Sequence, residues 1–246
     1  MRDLTPDIAI MTNALQASGR FVLRDFGELE QLQSSADNGL RFAKTGLGKV
    51  EKTIVENLLD SRPKFGIMTP TQTIRGTDIS HRFIVNPIDG FDRFARALPS
   101  FAMSIALQEQ RNIVAAAVYS PVMDKLFTAT KGGGAFVRDA RLRRRLRVSR
   151  RVENPALAPS DMCPSLAMCS LASGSCDALK TKETSLFSAA AGSLFVREAG
   201  GVLRALDAEW QEVPTDFGVA MLIAENNCLQ PALIDSIITK RKEKNE

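Results

Sequence analysis

The segment RFIVNPIDGFDRFARALPSFAMSIAL, residues 82–107, constrains the fold of this chain more than any other. An apolar run predicts a strand, which passes through NPIDG (residues 86–90) into a helical segment ending near Pro99. A strand that turns sharply into a helix directs backbone N–H groups and the positive helix end at one point, which suits an anion. A carboxylate at that turn, Asp89, is placed to hold a divalent cation beside the anion. The segment therefore predicts a phosphate-and-metal site.

Further blocks follow in order along the chain, namely VYSP at 118–121, LFTA at 126–129, GGGAF at 132–136 and VREAGGV at 196–202. Together with NPIDG they resemble the inositol monophosphatase family, whose signature reads strand–DPxDGTxNF–helix and whose later block reads TAxxGxGAF. Within that family the chain is most similar to the bacterial extragenic-suppressor (SuhB-like) branch. The resemblance covers most of residues 40–150 and 165–230. It implies a layered αβαβα sandwich of the inositol monophosphatase and sugar phosphatase type.

The same resemblance implies Mg²⁺ held by carboxylates from four places in the chain, and only Asp89 remains of them. The other positions hold Leu47, a segment from Gly66 to Thr71 that contains no acid, Asn86 and Ser188. The metal positions carried over from the signature are Asp89, Ile88 and Asn86, and the phosphate positions are Asp89, Gly90 and Phe91.

One carboxylate is a poor basis for magnesium chemistry. Mg²⁺ is held by hard carboxylate oxygens, and neutral carbonyls and hydroxyls leave its charge uncompensated. Two-metal hydrolysis needs one cation to lower the pKa of the attacking water and another to stabilise the leaving oxygen. The sequence therefore predicts a degenerate family member with weak or absent Mg²⁺ binding, and a phosphatase scaffold that has lost its catalytic machinery.

Three further residues are candidates at the site. Asp92 lies three residues after Asp89, where it would either share a cation or only be favoured by the positive start of the helix. Arg93 would pair with Asp89 or Asp92 and replace the charge of the missing metal with a guanidinium. Ser188 offers a hydroxyl as an additional donor.

Apolar periodicity predicts a single domain over residues 1–246 with alternating helices and strands. The amino-terminal half, residues 1–150, is α+β, and residues 151–246 form a shortened α/β half. The expected helices cover residues 5–33 (one or two helices), 48–60, 165–173, 186–199 and 229–243. The expected strands cover residues 83–85, 101–107, 113–119, 126–130, 202–206 and 219–224. Between Val148 and Ser165 the chain lacks a strand–helix unit that the resemblance implies.

Composition indicates a cytoplasmic protein. The hydrophobic fraction of 44% supplies a core, and no run approaches the ~18 apolar residues of a membrane span. The first 16 residues contain acids and no uninterrupted apolar core, unlike a signal peptide. The four cysteines lack CxxC spacing and are expected to be buried thiols. The resemblance implies a homodimer.

The densest charge cluster consists of Arg138, Arg141, Arg143, Arg144, Arg145, Arg147, Arg150 and Arg151. With a net charge of +4, it suggests a polyanion or the transcription machinery as a partner, against the alternative of a solvated basic loop with no partner. No aromatic residue interleaves with the arginines in the sequence, so base stacking is not expected.

Three functions stay open from the sequence. The first is a pseudoenzyme that acts by binding, in the manner of an RNA- or transcription-associated factor. The second is a residual Mg²⁺-dependent inositol or sugar phosphate monoesterase that uses Asp89 and Asp92. The third is a structural subunit that pairs with an active paralogue.

Overall fold

The structure is a computed structural model that describes residues 4–32, 36–139, 142–181, 184–206, 212–213 and 221–229. Within these residues the helices are α1 (Thr5–Gln31), α2 (Ala36–Ser61), α3 (Phe91–Ala95), α4 (Pro164–Ala172) and α5 (Leu186–Glu198). Of the helices in the described residues, none is long and apolar enough to span a bilayer.

The strands of the large sheet are β1 (Phe65–Met68), β2 (Thr73–Ile74), β3 (Asp78–Asp89), β4 (Ala102–Glu109), β5 (Asn112–Ser120), β6 (Lys125–Thr130), β7 (Gly134–Arg138) and β8 (Arg143–Arg145). They lie in the order β2-β1-β3-β4-β5-β6-β7-β8, and only the β1–β3 pair is parallel. The small sheet contains β9 (Ala178–Lys180), β10 (Gly201–Leu206), β11 (Glu212–Val213) and β12 (Met221–Asn226). Its order is β11-β10-β12-β9, and every pair is antiparallel.

Three apolar clusters join these elements into layers. The first lies between α1, α2 and the large sheet, and the second lies between that sheet and α4 and α5. The third connects α4 and α5 to the small sheet. The described residues thus form a mixed α/β sandwich with the layer order α, β, α, β. The predicted closing helix over residues 229–243 lies outside the described residues from residue 230 onward.

Most predicted elements are confirmed, with differences at their ends. Residues 5–33 form the single helix α1. The helix predicted over 48–60 begins earlier, at Ala36, because Phe42, Ala43 and Leu47 continue its apolar stripe into the first core. The helix predicted to end near Pro99 is wrong in length. It ends at Ala95, and Ala97 then adopts a positive φ of 53° that a right-handed helix cannot contain.

The connection from residue 146 to residue 163 holds no helix and no strand, only one parallel bridge between Leu157 and Ala178. The missing strand–helix unit is therefore replaced by an irregular segment with turns and bends. Buried Asp177 holds this segment, since its carboxylate accepts hydrogen bonds from the Ser149 hydroxyl, the Arg151 guanidinium (3.0 Å) and the Ala156 N–H (2.7 Å). Burial would raise the pKa of Asp177, but these hydrogen bonds outweigh it and lower that pKa.

Two of the sequence blocks meet at the Gly-rich turn before β7. The Glu198 carboxylate, at the end of α5, accepts the N–H groups of Gly132 at 2.8 Å and Gly134 at 2.9 Å. Gly134 has a φ of 91°, which favours glycine. The contact fixes the start of β7 against α5.

Candidate functional site

The site lies where β3 ends and the chain turns into α3. Gly90 makes the turn with a φ of 81°. A Cβ built on it would lie 2.9 Å from the Cys163 Cβ and 3.3 Å from the Ser100 carbonyl oxygen. Only glycine combines this backbone conformation with this close approach. The turn therefore packs directly against the chain that leads into α4.

Asp89 is 2% exposed, and both of its carboxylate oxygens accept hydrogen bonds. Oδ2 accepts the Ser165 N–H at 2.8 Å, and Oδ1 accepts the Ser188 hydroxyl at 2.6 Å. Ser165 lies in the first turn of α4, and Ser188 lies in the first turn of α5. The positive ends of two helices thus face this one negative charge and stabilise it.

Asn86 and Ser188 complete a closed network around Asp89. The Asn86 amide nitrogen donates to Asp89 Oδ1 at 3.3 Å and to the Ser188 oxygen at 3.2 Å. Ser188 also receives the Ser185 hydroxyl at 3.3 Å. Ile88, which lies between Asn86 and Asp89 in the sequence, packs its side chain into the first core. The structure therefore brings Asn86, Asp89 and Ser188 together, as the sequence predicts.

Arg93 does not make the predicted ion pair with Asp89 or Asp92, and the prediction is wrong. Its guanidinium donates instead to the main-chain oxygens of Asp161 and Ser160. The reason is geometric: Asp89 is enclosed beneath α4 and α5, whereas Arg93 lies at the surface beside the irregular connection. Asp92 is exposed next to it. Arg93 thus ties α3 to the chain that replaces the missing unit.

The other expected metal-ligand positions are engaged in packing or hydrogen bonds. Leu47 packs against the first core. Thr69, in the segment expected to carry two acids, donates its hydroxyl to Glu51 at 2.5 Å, and Thr71 and Gln72 also donate to that carboxylate. Glu51 is 3% exposed. Glu51 was not among the predicted site residues, although an acid between Val50 and Ile54 on the apolar side of α2 is a usable signal.

A cavity of about 770 Å³ opens beside the network. Its lining includes Phe91, Asp92, Arg93, Met162, Lys180 and Ser188. Gly90 also lines it, so the turn after Asp89 faces this space, while Asp89 itself is enclosed behind Ser188. The size is that of a pocket for a small organic ligand.

Cys163, beside the turn, is not poised as a nucleophile. Burial and the neighbouring Asp89 carboxylate raise its pKa well above the ordinary value, and a protonated thiol is a weak nucleophile. Across the described ranges, no group of three or more His, Cys, Asp or Glu side chains is placed to hold a metal ion.

Part of the arginine cluster lies in a strand and not in the loop that the sequence suggested. Arg143, Arg144 and Arg145 form β8, the edge strand of the large sheet, and all three are exposed. Arg151 differs from them because it is bound to Asp177 at 3.0 Å. The cluster therefore contains both a structural member and exposed members.

Comparison with known proteins identifies the family to which this fold belongs. A sequence model described as "Inositol monophosphatase family" matches residues 3–163, and the chain belongs to that family. It is 32% identical over 255 aligned residues to an inositol-1-monophosphatase of Rhizobium meliloti, covering 93% of this chain and 94% of the relative. It is also similar to SuhB proteins. The Nus factor SuhB of Xylella fastidiosa is 27% identical to this chain, and the alignment covers 80% of each protein.

A solved structure agrees with this assignment. The extragenic suppressor protein suhB of Bartonella henselae superposes with a TM-score of 0.75 at 34% identity, covering 90% of this chain and 93% of that one. The chain thus belongs to the inositol monophosphatase family and is similar to its SuhB members.

Proposed function

We propose that this chain is a family member that binds rather than hydrolyses, with its remaining site carboxylate serving as a structural acceptor. The observation that supports this proposal most directly is that both oxygens of Asp89 accept hydrogen bonds from the first turns of α4 and α5. In this role the two helix ends replace the cation as the partner of the negative charge. The carboxylate is then satisfied without a metal.

The donor set fits Mg²⁺ poorly. The ion requires near-octahedral coordination by oxygen, and a protein-built site normally supplies carboxylates. Here the Asn86 amide nitrogen, which carries hydrogens, faces Asp89. Ser188 directs its hydroxyl hydrogen at the same carboxylate. Both groups act as donors where a metal requires acceptors, which supports weak or absent Mg²⁺ binding.

The cavity beside the network is the proposed binding site. The turn at Gly90 and Phe91, the first turn of α5 and the Arg93 side chain all line it. Backbone N–H groups at helix starts attract anions without help from the lost carboxylates. We infer that the cavity takes a small anion, such as a phosphate or sulfate group, weakly and without metal.

A calorimetric titration with inorganic phosphate in metal-free buffer tests the binding. The Arg93→Ala variant is expected to weaken it, whereas the control Arg96→Ala should not, because Arg96 is exposed and does not line the cavity. A phosphatase assay on a small monoester with Mg²⁺ tests the loss of hydrolysis. Turnover of ~1–10³ s⁻¹ that Asp89→Asn abolishes would establish the residual monoesterase instead.

The assembly is also a proposal. Family resemblance supports a homodimer, and an inactive subunit beside an active paralogue would use the same fold. The names of the SuhB relatives as Nus factors support a contact with the transcription machinery. Co-purification with tagged RNA polymerase tests that contact. Failure of this protein to co-purify with the polymerase at ~150 mM salt would count against it.

A further inference from the structure

Among the described residues, no helix lies over the β8 end of the face of the large sheet that carries α1. Tyr119 on β5 and Leu126 on β6 still pack into the first core under α1. Beyond them, Thr128 and Phe136 are only half-buried, and Arg138 is exposed. The first helical layer therefore leaves an open strip of sheet over β7 and β8.

Strand register decides which arginines lie on this strip. Phe136 pairs with Thr128 on one side and with Arg145 on the other, and Arg138 pairs with Arg143. Side chains alternate between the faces of a strand, so these residues share one face. We call Phe136, Arg138, Arg143 and Arg145 the arginine face.

Arg144 lies on the opposite face of the same strand. It pairs with Val137, which packs into the second core on the α5 side. Arg144 and Arg143 are thus adjacent, exposed and equally charged, but they point in opposite directions.

An aromatic ring lies within the arginine face. The Arg143 guanidinium sits 3.9 Å from the centroid of the Phe136 ring, within the range of a cation–π contact. The structure therefore places an aromatic ring beside the arginines, although none lies among them in the sequence. Antiparallel pairing brings Phe136 from the preceding strand to a place that the linear sequence does not reveal.

The face keeps an excess of positive charge. Across the described part of the chain, Arg138, Arg143 and Arg145 form no ion pairs. The two acids at its margins, Asp124 and Asp139, keep their negative charge but are outnumbered by the three arginines, and each faces a neutral donor, the Tyr119 hydroxyl at 3.2 Å and the Leu142 N–H at 3.1 Å.

We propose that the arginine face binds single-stranded nucleic acid. Guanidinium groups bind phosphate oxygens through a planar, two-pronged contact. The Arg143 guanidinium, stacked on the Phe136 ring, offers its outer flat surface to an unpaired base. Same-face residues on one strand lie about 6.8 Å apart, which suits successive phosphates of an extended strand. The open strip supplies the room that a bulky polymer needs.

This surface is separate from the site at Asp89 and does not depend on the proposed function. Arg93→Ala, which should weaken phosphate binding in the cavity, should leave nucleic-acid binding unchanged. The two proposals therefore fail independently.

Fluorescence anisotropy with a labelled oligouridine strand of about 20 nucleotides, titrated at several salt concentrations, tests the proposal. Arg143→Ala should lower the logarithmic salt slope by about 0.7, the value for one single-strand phosphate contact. Phe136→Leu should weaken binding by about 2- to 5-fold, because it removes the cation–π contact that holds the Arg143 guanidinium flat. The matched control Arg144→Ala should change neither quantity. Far-ultraviolet circular dichroism confirms that each variant is folded.

Several outcomes would overturn the proposal. One is the absence of binding at ~50 mM salt, and another is an equal loss from Arg143→Ala and Arg144→Ala. Equal affinity for a duplex of the same length would contradict the single-strand assignment. Displacement of the RNA by polyglutamate at equal charge would point to an acidic protein instead. A loss of self-association in Arg143→Ala, measured by sedimentation, would identify a second copy as the occupant.

Discussion

The hydroxyl of Ser188 donates a 2.6 Å hydrogen bond to the Asp89 carboxylate, and it does so from the first turn of α5. On the other side the Ser165 N–H, in the first turn of α4, donates to the same group at 2.8 Å. Asp89 therefore joins β3 to two helix starts. This makes its contribution to folding measurable separately from any chemistry.

Asp89→Ala is expected to lower the free energy of unfolding by about 2–4 kcal/mol, because it leaves the buried Ser165 N–H without an acceptor and removes one of the two acceptors of the Asn86 amide. Urea unfolding in metal-free buffer measures the change. Asp92→Ala is the matched control, since Asp92 is exposed, and should cost less than about 0.5 kcal/mol. An Asp89→Ala protein as stable as the parent would contradict the structural role.

Restoring acids at the site should convert a structural network into a metal site. Asn86→Asp with Ser188→Asp places three carboxylates together, and their repulsion should lower the melting temperature in metal-free buffer. Adding ~10 mM Mg²⁺ should then raise that temperature, because the ion binds only the folded state. The parent protein serves as control and should not respond. An equal Mg²⁺ response from the parent would show that its own donors suffice.

The four cysteine thiols should differ in their rate of reaction with a disulfide reagent. Burial raises the pKa values of Cys163, Cys169 and Cys176, whereas Cys228 is half-exposed. Titration of the native protein with a disulfide reagent at pH 8 should show one fast-reacting thiol, lost in Cys228→Ser. Rapid reaction of Cys163 would instead indicate an activated nucleophile beside Asp89.

The Asp177 contacts predict a defined pH dependence. Because the folded-state pKa of Asp177 is lowered, its contribution is fully present above the unfolded-state value of about 3.9 and is lost as the pH falls through the lower folded-state value. The stability difference between the parent and Asp177→Asn should therefore shrink as the pH falls from about 5 toward 2. Asp92→Asn provides the pH control. A difference that grows in acid would contradict this assignment.

The sequence predicted the fold because apolar periodicity and local blocks located most helices and strands. NPIDG put Asn86 and Asp89 on one turn, and the structure joins them in one hydrogen-bond network, whereas their function remains a prediction. The errors concern contacts between distant segments. Arg93 bonds to main-chain oxygens of a connection whose path no local pattern encodes. Phe136 meets Arg143 only through strand pairing.

The β8 strand shows a second limit of sequence reasoning. Three successive arginines carry no apolar alternation, so Arg143–Arg145 resembled a loop. Pairing with β7 supplies the backbone hydrogen bonds, and charge at an edge strand discourages unwanted strand addition. Tertiary context therefore overrides local composition here.

Isothermal titration of Mg²⁺ into the parent protein, with Asp89→Asn alongside, tests the central claim most directly. The enclosed Asp89 carboxylate and its neutral neighbours predict no saturable heat in the low-micromolar range for either protein. A two-site isotherm in that range for the parent, abolished in Asp89→Asn, would contradict the claim and assign the chain to the metal-dependent hydrolases.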